Sequence, residues 1–426
     1  MSAVSVEDLI RRAELAERAG DSQGAAQLWS ALVEAAPQHP RALFIEGRRL
    51  VESGDAGGAL KLLARAEALD AADPEIPLCA AMAHRLVDAL PAALAALDRA
   101  LARDPYYFVA MLSKGALLER LGRPRAAAQV FKNAIKIAPQ AERLPPSLRS
   151  ALESAQAFVA ANAQALVEHL HAQTSALRTH CPDAALDRFD ECVNILAGLQ
   201  PRYPHDPALL YYPRLPAIPF FDPALFPWLG ELEAETDAIT AELIQVMSED
   251  MAEFAPYIQY PPGAPVNQWV QLNHSAAWST FFLWRDGARQ DRNCNRCPQT
   301  AALLARLPLA HQRGYAPTAM FSMLSPRTHI PPHTGSANSR LIGHLPLILP
   351  KDCRFRVGAE TRDWRLGEAW VFDDTIEHEA WNDSDEIRII LIFDVWNPLL
   401  SEAERALVTE MMAAYAAYNG AEAELK

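Results

Sequence analysis

Read for the spacing of its apolar positions alone, the chain falls into two halves. Over the first 150 residues apolar side chains recur three and four apart, the period of one helix face, and the pattern repeats at an offset of 34. Ala25, Ala59, Ala93 and Ala127 fall in register, each opening a short apolar run such as Ala59-Leu60-Lys61-Leu62. Five residues before each stands Gly20, Gly54, Asp88 or Gly122; Pro37, Pro105 and Pro139 keep one phase, and Pro74 is late by three. A small residue at a fixed helical position lets neighbouring helices approach, and a Gly or Asp upstream suits the tight turn inside a pair. The proline closes one unit and opens the next. About four helix pairs are expected over 5–140. Helical spacing continues over 147–200, with Leu148, Leu152, Ala155, Phe158 and Val159 at core-like positions.

The composition then changes. Eight prolines fall within 201–227, together with Tyr211-Tyr212 and Phe220-Phe221. Such a stretch predicts an ordered connector laid over a surface, followed by a helix over about 229–249. Beyond 265 the period switches from 3.6 to 2. Strands are expected at Trp269–Leu272, Ser279–Trp284, Ala319–Leu324, Leu341–Leu349, Arg354–Val357, Ala369–Phe372 and Arg388–Val395. Asp286-Gly287, Pro331-Pro332, Pro350-Lys351-Asp352 and Leu366-Gly367 read as turns between them. Many short strands so punctuated argue for an all-β sandwich or barrel. Ser401 with Glu404 three residues on predicts a capped helix over 401–420. The organisation expected is helical repeats over 1–145, a helical connector over 146–200 and a β-rich domain over 201–426. The 34-residue period with two helices per unit resembles the tetratricopeptide repeat, whose solenoids present concave surfaces to peptides and proteins.

Half of the 426 residues are hydrophobic and 22% are charged, ordinary for a globular chain with a sizeable core. Lys plus Arg total 39 against 53 for Asp plus Glu, a formal charge of −14. Such a surface repels a phosphate backbone, so nucleic acid is not an expected partner. The first eight residues have neither a basic nor an apolar stretch of the secretory kind. No run of about 18 uninterrupted apolar residues occurs, so no membrane span is expected. Six cysteines are too few for a disulfide framework, and the expected location is cytoplasmic. Cys294 and Cys297 form a CxxC without the second pair that a zinc site wants and are read as free thiols; Cys79 is read as repeat core.

Three polar residues stand out on the β framework. His333, in Pro331-Pro332-His333-Thr334-Gly335, and His378, in Asp373-Asp374-Thr375-Ile376-Glu377-His378-Glu379, each follow a strand. Arg388 comes ten residues after His378 and opens the apolar run Ile389-Ile390-Leu391-Ile392-Phe393. Pointed inward, that charge calls for an anionic ligand; pointed outward, it is a solvated strand end. Two histidines on different strands and an inward arginine suit an iron(II) oxygenase that takes 2-oxoglutarate. The usual metal triad begins His-x-Asp or His-x-Glu, but here the third position is Gly335. Either water fills that place, or Asp373, Asp374 or Glu377 swings in.

The stretches His333-Thr334-Gly335, Glu360-Thr361-Arg362, Phe372-Asp373-Asp374, Glu377-His378-Glu379 and Asp394-Val395-Trp396-Asn397-Pro398 resemble the aspartyl/asparaginyl β-hydroxylase family over about 265–398. The resemblance implies a double-stranded β-helix (jelly-roll) with flanking helices, behind an all-α tetratricopeptide-repeat solenoid. It also implies Fe(II), 2-oxoglutarate and O2 as cofactors, and water in place of the metal carboxylate, because the family keeps Gly at that position. By the same resemblance His333 and His378 ligate iron, Arg388 and Ser322 bind the far carboxylate of 2-oxoglutarate, and His344 lies beside it. Trp278 either lines that pocket or packs the barrel, and Arg340 either lines the substrate pocket or caps a surface turn. Where the animal enzyme of the family reads Arg-Leu-Arg-Met-His, this chain reads Arg340-Leu341-Ile342-Gly343-His344, and Ile342 cannot neutralise a carboxylate. The activity implied is hydroxylation of an unactivated C–H bond, first the β-carbon of an aspartyl/asparaginyl-type residue in a peptide or protein recruited by the repeats. The alternatives are a small molecule or a lipid acyl chain, or a catalytically inactive repeat-protein adaptor.

Overall fold

The structure, a computed structural model, describes residues 5–181, 183–249 and 251–419. It divides into two compact units, Met1–Leu199 and Gln200–Lys426.

The first unit is built of antiparallel helix pairs: α1 (Val6–Arg18) with α2 (Ser22–Ala35), α3 (Pro40–Glu52) with α4 (Ala56–Leu69), α5 (Glu75–Leu86) with α6 (Leu90–Arg103), and α7 (Phe108–Arg120) with α8 (Pro124–Lys136). The second helices begin at 22, 56, 90 and 124, so the sequence period is a structural one. Gly20, Gly54, Asp88 and Gly122 all have positive φ, between 54° and 88°, the left-handed conformation a sharp interhelical turn requires. Ala25, Ala59, Ala93 and Ala127 are each 3% exposed or less, sealed between helices that a larger side chain would push apart. Arg41–Glu75 (2.6 Å), Glu67–Arg103 (2.5 Å) and Asp88–Arg120 (2.6 Å) join residues 32–36 apart and so tie the second pair to the third and the third to the fourth. The long α9 (Pro146–Arg178) and α10 (Asp183–Ala197) close the unit.

Among the described residues of the second unit, α11 (Leu229–Ala234), α12 (Thr236–Glu249), α13 (Asp291–Arg296) and α14 (Pro298–Leu304) accompany eleven strands. These are β1 (Ala255–Pro256), β2 (Trp278–Arg285), β3 (Ala288–Arg289), β4 (Ala319–Leu324), β5 (Thr328–His333), β6 (Arg340–Ile348), β7 (Cys353–Val357), β8 (Glu360–Asp363), β9 (Trp370–Phe372), β10 (His378–Asn382) and β11 (Arg388–Trp396). A seven-stranded sheet runs β1-β2-β4-β11-β6-β9, with β3 on β2, and a four-stranded sheet runs β5-β10-β7-β8; every pairing is antiparallel. Side chains alternate across a strand, which gives the large sheet two different faces. Phe321, Met323, Leu341, Leu345, Ile389, Leu391 and Phe393 join Leu232, Ile239, Leu243 and Leu304 of the helices in one core. Trp278, Leu324, Ile342 and Ile390 face the other way and share a second core with Ile330, Phe355, Val357 and Ala380 of the small sheet. The helix α15 (Glu402–Asn419) follows the last strand, Ser401 and Glu404 exchanging the expected capping bonds; position 420 lies outside the described residues. Among the described residues no helix is long and apolar enough to cross a membrane.

Several expectations are corrected. Trp269–Leu272 is not a strand: Trp269 ends a 3-10 turn, Asn267–Trp269, and residues 270–272 continue as a turn. The helix expected over 229–249 breaks at Glu235. Pro331-Pro332 is not a turn: both lie inside β5, an edge strand, where a missing N–H costs no ladder bond. His333 therefore ends its strand, and His378 opens β10 rather than trailing a strand. Cys294 and Cys297 are buried free thiols, and burial pushes Cys297 up to about 12. Replacing Ala93, at 0% exposure between packed helices, with Leu should overpack the interface and lower stability by about 1–3 kcal/mol; urea unfolding of the two chains measures it.

Candidate active site

The polar residues singled out above gather where the inner face of the large sheet meets the small one. His333 pairs with His378 across β5 and β10, and their rings lie 4.1 Å apart, centroid to centroid. Each turns Nδ1 back on the chain: His333 to the Pro331 carbonyl at 2.8 Å, His378 to the Ile376 carbonyl at 3.0 Å. A carbonyl only accepts, so Nδ1 carries the proton and the Nε2 lone pair is left for a ligand. Burial lowers His333 to about 4 and holds His378 well below the ordinary histidine value, with His333 adding to the effect. Both imidazoles are thus neutral donors, as a divalent transition metal requires.

Arg388 sits on the inner face of β11, beside Leu324 of β4. It is 1% exposed, and its Nε and Nη2 have no hydrogen-bond partner. The neighbour it does have is aromatic: its guanidinium lies 4.9 Å from the Trp364 ring. Burial brings its pKa down to about 10 with no carboxylate to oppose it. Trp364 packs 5.3 Å from Phe355, and Phe355 5.8 Å from His378, so two aromatic rings join the arginine to the histidine pair. His344, on the inner face of β6, packs on Phe372 at 4.8 Å and Phe355 at 5.1 Å. Burial, and then the charge of Arg388, keep it neutral. Ser322 accepts the indole N–H of Trp278 at 3.1 Å, which leaves the serine proton for another acceptor, and Trp278 in turn stands 6.2 Å from His333.

Each nearby carboxylate has a neighbour in the chain, but Asp374 Oδ1 is buried without a hydrogen-bond partner. Asp373 accepts from the Thr375 N–H and hydroxyl and pairs with His205; Glu377 pairs with Arg356 at 2.9 Å. Asp374 lies 3.5 Å from Arg340, and burial still pushes it up to about 7. A Cβ added at Gly335 would come within 1.8 Å of Asp374 Oδ2, so the glycine makes room for that carboxylate. Among the described residues no group of three or more His, Cys, Asp or Glu is placed to hold a metal; the donor set is two histidines. Arg340 is no surface cap. It donates to Asp394 at 2.8 Å and to Ser336 at 2.8 Å, and the carboxylates raise it against the effect of burial. Ile342 lies on the same face beside Phe372, 8% exposed.

The arrangement also includes residues that strand patterning alone did not single out. Thr280 pairs with Ser322 in register, and its buried hydroxyl has no partner. Trp364 comes just after β8, a strand with no hydrophobic alternation, and Trp269 packs 5.0 Å from His333 out of a 3-10 turn where a strand was expected. Only the aromatic character of the two tryptophans could have marked them.

Residues 233–398 match the family model described as aspartyl/asparaginyl beta-hydroxylase. The C-terminal unit belongs to that family. The chain is 36% identical over 198 residues to an ornithine lipid ester-linked acyl 2-hydroxylase of Rhizobium tropici, covering 46% of this chain and 66% of that one. It is 40% identical over 137 residues to the human aspartyl/asparaginyl beta-hydroxylase, covering 32% of this chain and 18% of the human protein. The chain therefore spans only part of these relatives' length. A thermophilic TPR protein of Thermus thermophilus, 22% identical over 38% of this chain and 90% of its own, superposes with a TM-score of 0.30, too low to carry an argument; the repeats rest on their own period and turns.

Gly335→Ala should lower stability by about 1–3 kcal/mol through the clash with Asp374, and by clearly less in an Asp374→Ala background; a thermal-melt double-mutant cycle reads the coupling. A free-chain histidine titrates near 6.5, whereas His333, His344 and His378 are held below that. As pH falls from 6.5 toward 4, the unfolded chain takes up protons that the fold refuses, so stability should drop over that window, by up to about 1.4 kcal/mol per pH unit for each histidine. Melts of the metal-free protein across that range, beside a His344→Gln chain with a shallower slope, check it.

Proposed function

We propose that the chain is an iron(II)- and 2-oxoglutarate-dependent dioxygenase that hydroxylates an unactivated C–H bond. The observation that supports this best is Arg388, a fully buried guanidinium with two unpartnered nitrogens and an aromatic face for a neighbour. An unpaired buried charge is expensive; it makes sense where a carboxylate from outside the chain completes it, and a planar guanidinium meets a carboxylate through two parallel bonds. Ser322 offers its proton to the same carboxylate, and Thr280 stands beside it. His344, kept neutral, borders the anion without adding a second positive charge. His333 and His378 would hold the iron through Nε2, their Nδ1–H bonds setting ring orientation. With 2-oxoglutarate and oxygen, bound iron supplies the oxidising power for C–H hydroxylation, succinate and carbon dioxide being the co-products. The aromatic rings around the two histidines exclude water from that chemistry. In this reading the paired sheets are a double-stranded β-helix, and water completes the metal's coordination where a carboxylate usually would.

For the substrate, two observations favour an uncharged reacting segment, such as a lipid acyl chain. Ile342 is apolar, and Arg340 is already held by Asp394 and Asp374. The lipid hydroxylase of Rhizobium tropici, with the longer alignment, agrees with that direction. The peptide reading keeps its own support in the human relative and in the repeats, whose surfaces would recruit a peptide or protein.

Succinate release from 2-oxoglutarate, iron(II) and oxygen, measured with acyl lipids and with Asp/Asn peptides, tests both readings, and mass spectrometry of the products separates them. Arg388→Met should raise the 2-oxoglutarate requirement by about 100-fold, while the metal-free protein gains about 1–3 kcal/mol from losing a buried unpaired charge. Wild-type 2-oxoglutarate use in that variant, or absence of turnover and of iron-dependent 2-oxoglutarate binding in the parent, would refute the dioxygenase and leave the adaptor.

A further inference from the structure

The proline-rich segment before α11 does more than connect. Its backbone is bonded to both loops that carry the candidate metal ligands. Ala208 N donates to the Gly335 carbonyl at 3.0 Å and Leu209 N to Ser336 at 3.0 Å, just past His333. Asp206 N donates to the Thr375 carbonyl at 2.7 Å, and Asp373 N to Pro219 at 3.2 Å, just before His378.

Within that segment His205 is buried, its side chain 5% exposed. Its Nε2 faces the Leu215 carbonyl at 3.2 Å, which only accepts. Its Nδ1 faces Asp373 Oδ2 at 3.1 Å and Thr375 Oγ1 at 3.0 Å. The Thr375 hydroxyl spends its own proton on Asp373 Oδ1 at 2.6 Å, so it too is an acceptor toward the ring. Both ring nitrogens therefore face acceptors, and only the doubly protonated ring satisfies them. The titratable groups that face it are Asp373, fully buried on the turn before β10, and Tyr211 of its own segment, 6.1 Å away ring to ring.

We propose that His205, as an imidazolium, is a positioning residue: its ion pair with Asp373 clamps the connector onto the 373–376 turn, whose Ile376 carbonyl holds the His378 ring. The inference rests on the metal site proposed above. Asp373 raises the pKa of His205 against the lowering effect of burial. A histidine raised in the fold stabilises fully below its free-chain value near 6.5, and that stability is lost as pH climbs through the folded value. The sign is opposite to that of the three neutral histidines.

Thermal melts and cobalt(II) titrations of the full chain, at intervals from pH 6 to 9, test this in wild type, His205→Gln, Asp373→Asn and the double variant. His378→Ala serves as the control for binding at the metal site. His205→Gln should lower Tm most at pH 6 and least at pH 9, and weaken cobalt binding by about tenfold at pH 6. In the Asp373→Asn background the same change should cost far less, because its partner charge is gone. A Tm loss equal at all pH values, equal in both backgrounds, or a stable variant with wild-type cobalt affinity throughout would overturn the clamp. If wild type and His378→Ala bind cobalt alike, the metal reading fails instead, and the proposed role in holding His378 falls with it.

Discussion

Burying a guanidinium with nothing negative beside it is the constraint around which the C-terminal unit is organised. In water Arg388 would be solvated at no cost. Here it stands behind two sheets, against the face of Trp364, with two of its nitrogens unpartnered. Keeping it there needs a rigid, dry frame, and β11 provides one through its period of two. Ile389, Leu391 and Phe393 bond that strand to the helices on the outer face, so Arg388, Ile390, Ile392 and Asp394 have to point inward. A slip of one residue would exchange the two sets. The outer core thus fixes which way the charge faces, and the frame holds the charge unsatisfied.

The contrast with Arg340 shows what that means. It too lies inward on the large sheet, across from Trp396 of β11. It has Asp394, Asp374 and Ser336 around it, and its charge is spent within the fold. One arginine is a structural tie and the other is an open valence, on the same face of the same sheet. The carboxylates divide in the same way. Asp373, Asp374 and Glu377 each already oppose a cation of the chain. Asp374 is turned to Arg340 through one oxygen only, its Oδ1 unpartnered, and it fills the space where a side chain at 335 would stand.

Much of this is written in the sequence in physically transparent form. The repeat period survives into the structure because each unit must turn in the left-handed region and must keep a small residue where helices touch. Asp88 is instructive: it stands where the other units have glycine, and it adopts φ = 54° all the same. The five longer large-sheet strands, β2, β4, β6, β9 and β11, were legible from their apolar positions, whereas the two-residue β1 and β3 were not. In the small sheet β7 was legible, as Arg354–Val357, but β5 contains two prolines and β8 reads Glu-Thr-Arg-Asp, with neither hydrophobic alternation nor β-branched bulk. These two strands are held by their neighbours' hydrogen bonds rather than by propensity. Residue types and spacing singled out His333, His378 and Arg388, and the family resemblance added Ser322 and His344. The direction Arg388 points, the engagement of Arg340 and the presence of Thr280 and Trp364 depend on register and on distant segments, which no local pattern encodes.

The prolines that read as a turn explain why the histidine pair is stiff. Pro331 and Pro332 have fixed φ, so the stretch of β5 leading to His333 has little freedom, and the carbonyl that orients the ring belongs to Pro331 itself. His378 is held otherwise, at the start of a strand flanked on both sides by β5 and β7. One imidazole is fixed by covalent rigidity and the other by a ladder on each edge. A histidine pair so constrained is oriented by the fold itself, and in the proposed function little ordering entropy would remain to be lost on binding a metal. The inner positions of β6, where Ile342 stands, carry no such duty. In the proposed function, a change there would alter what the site accepts and leave the two histidines in place.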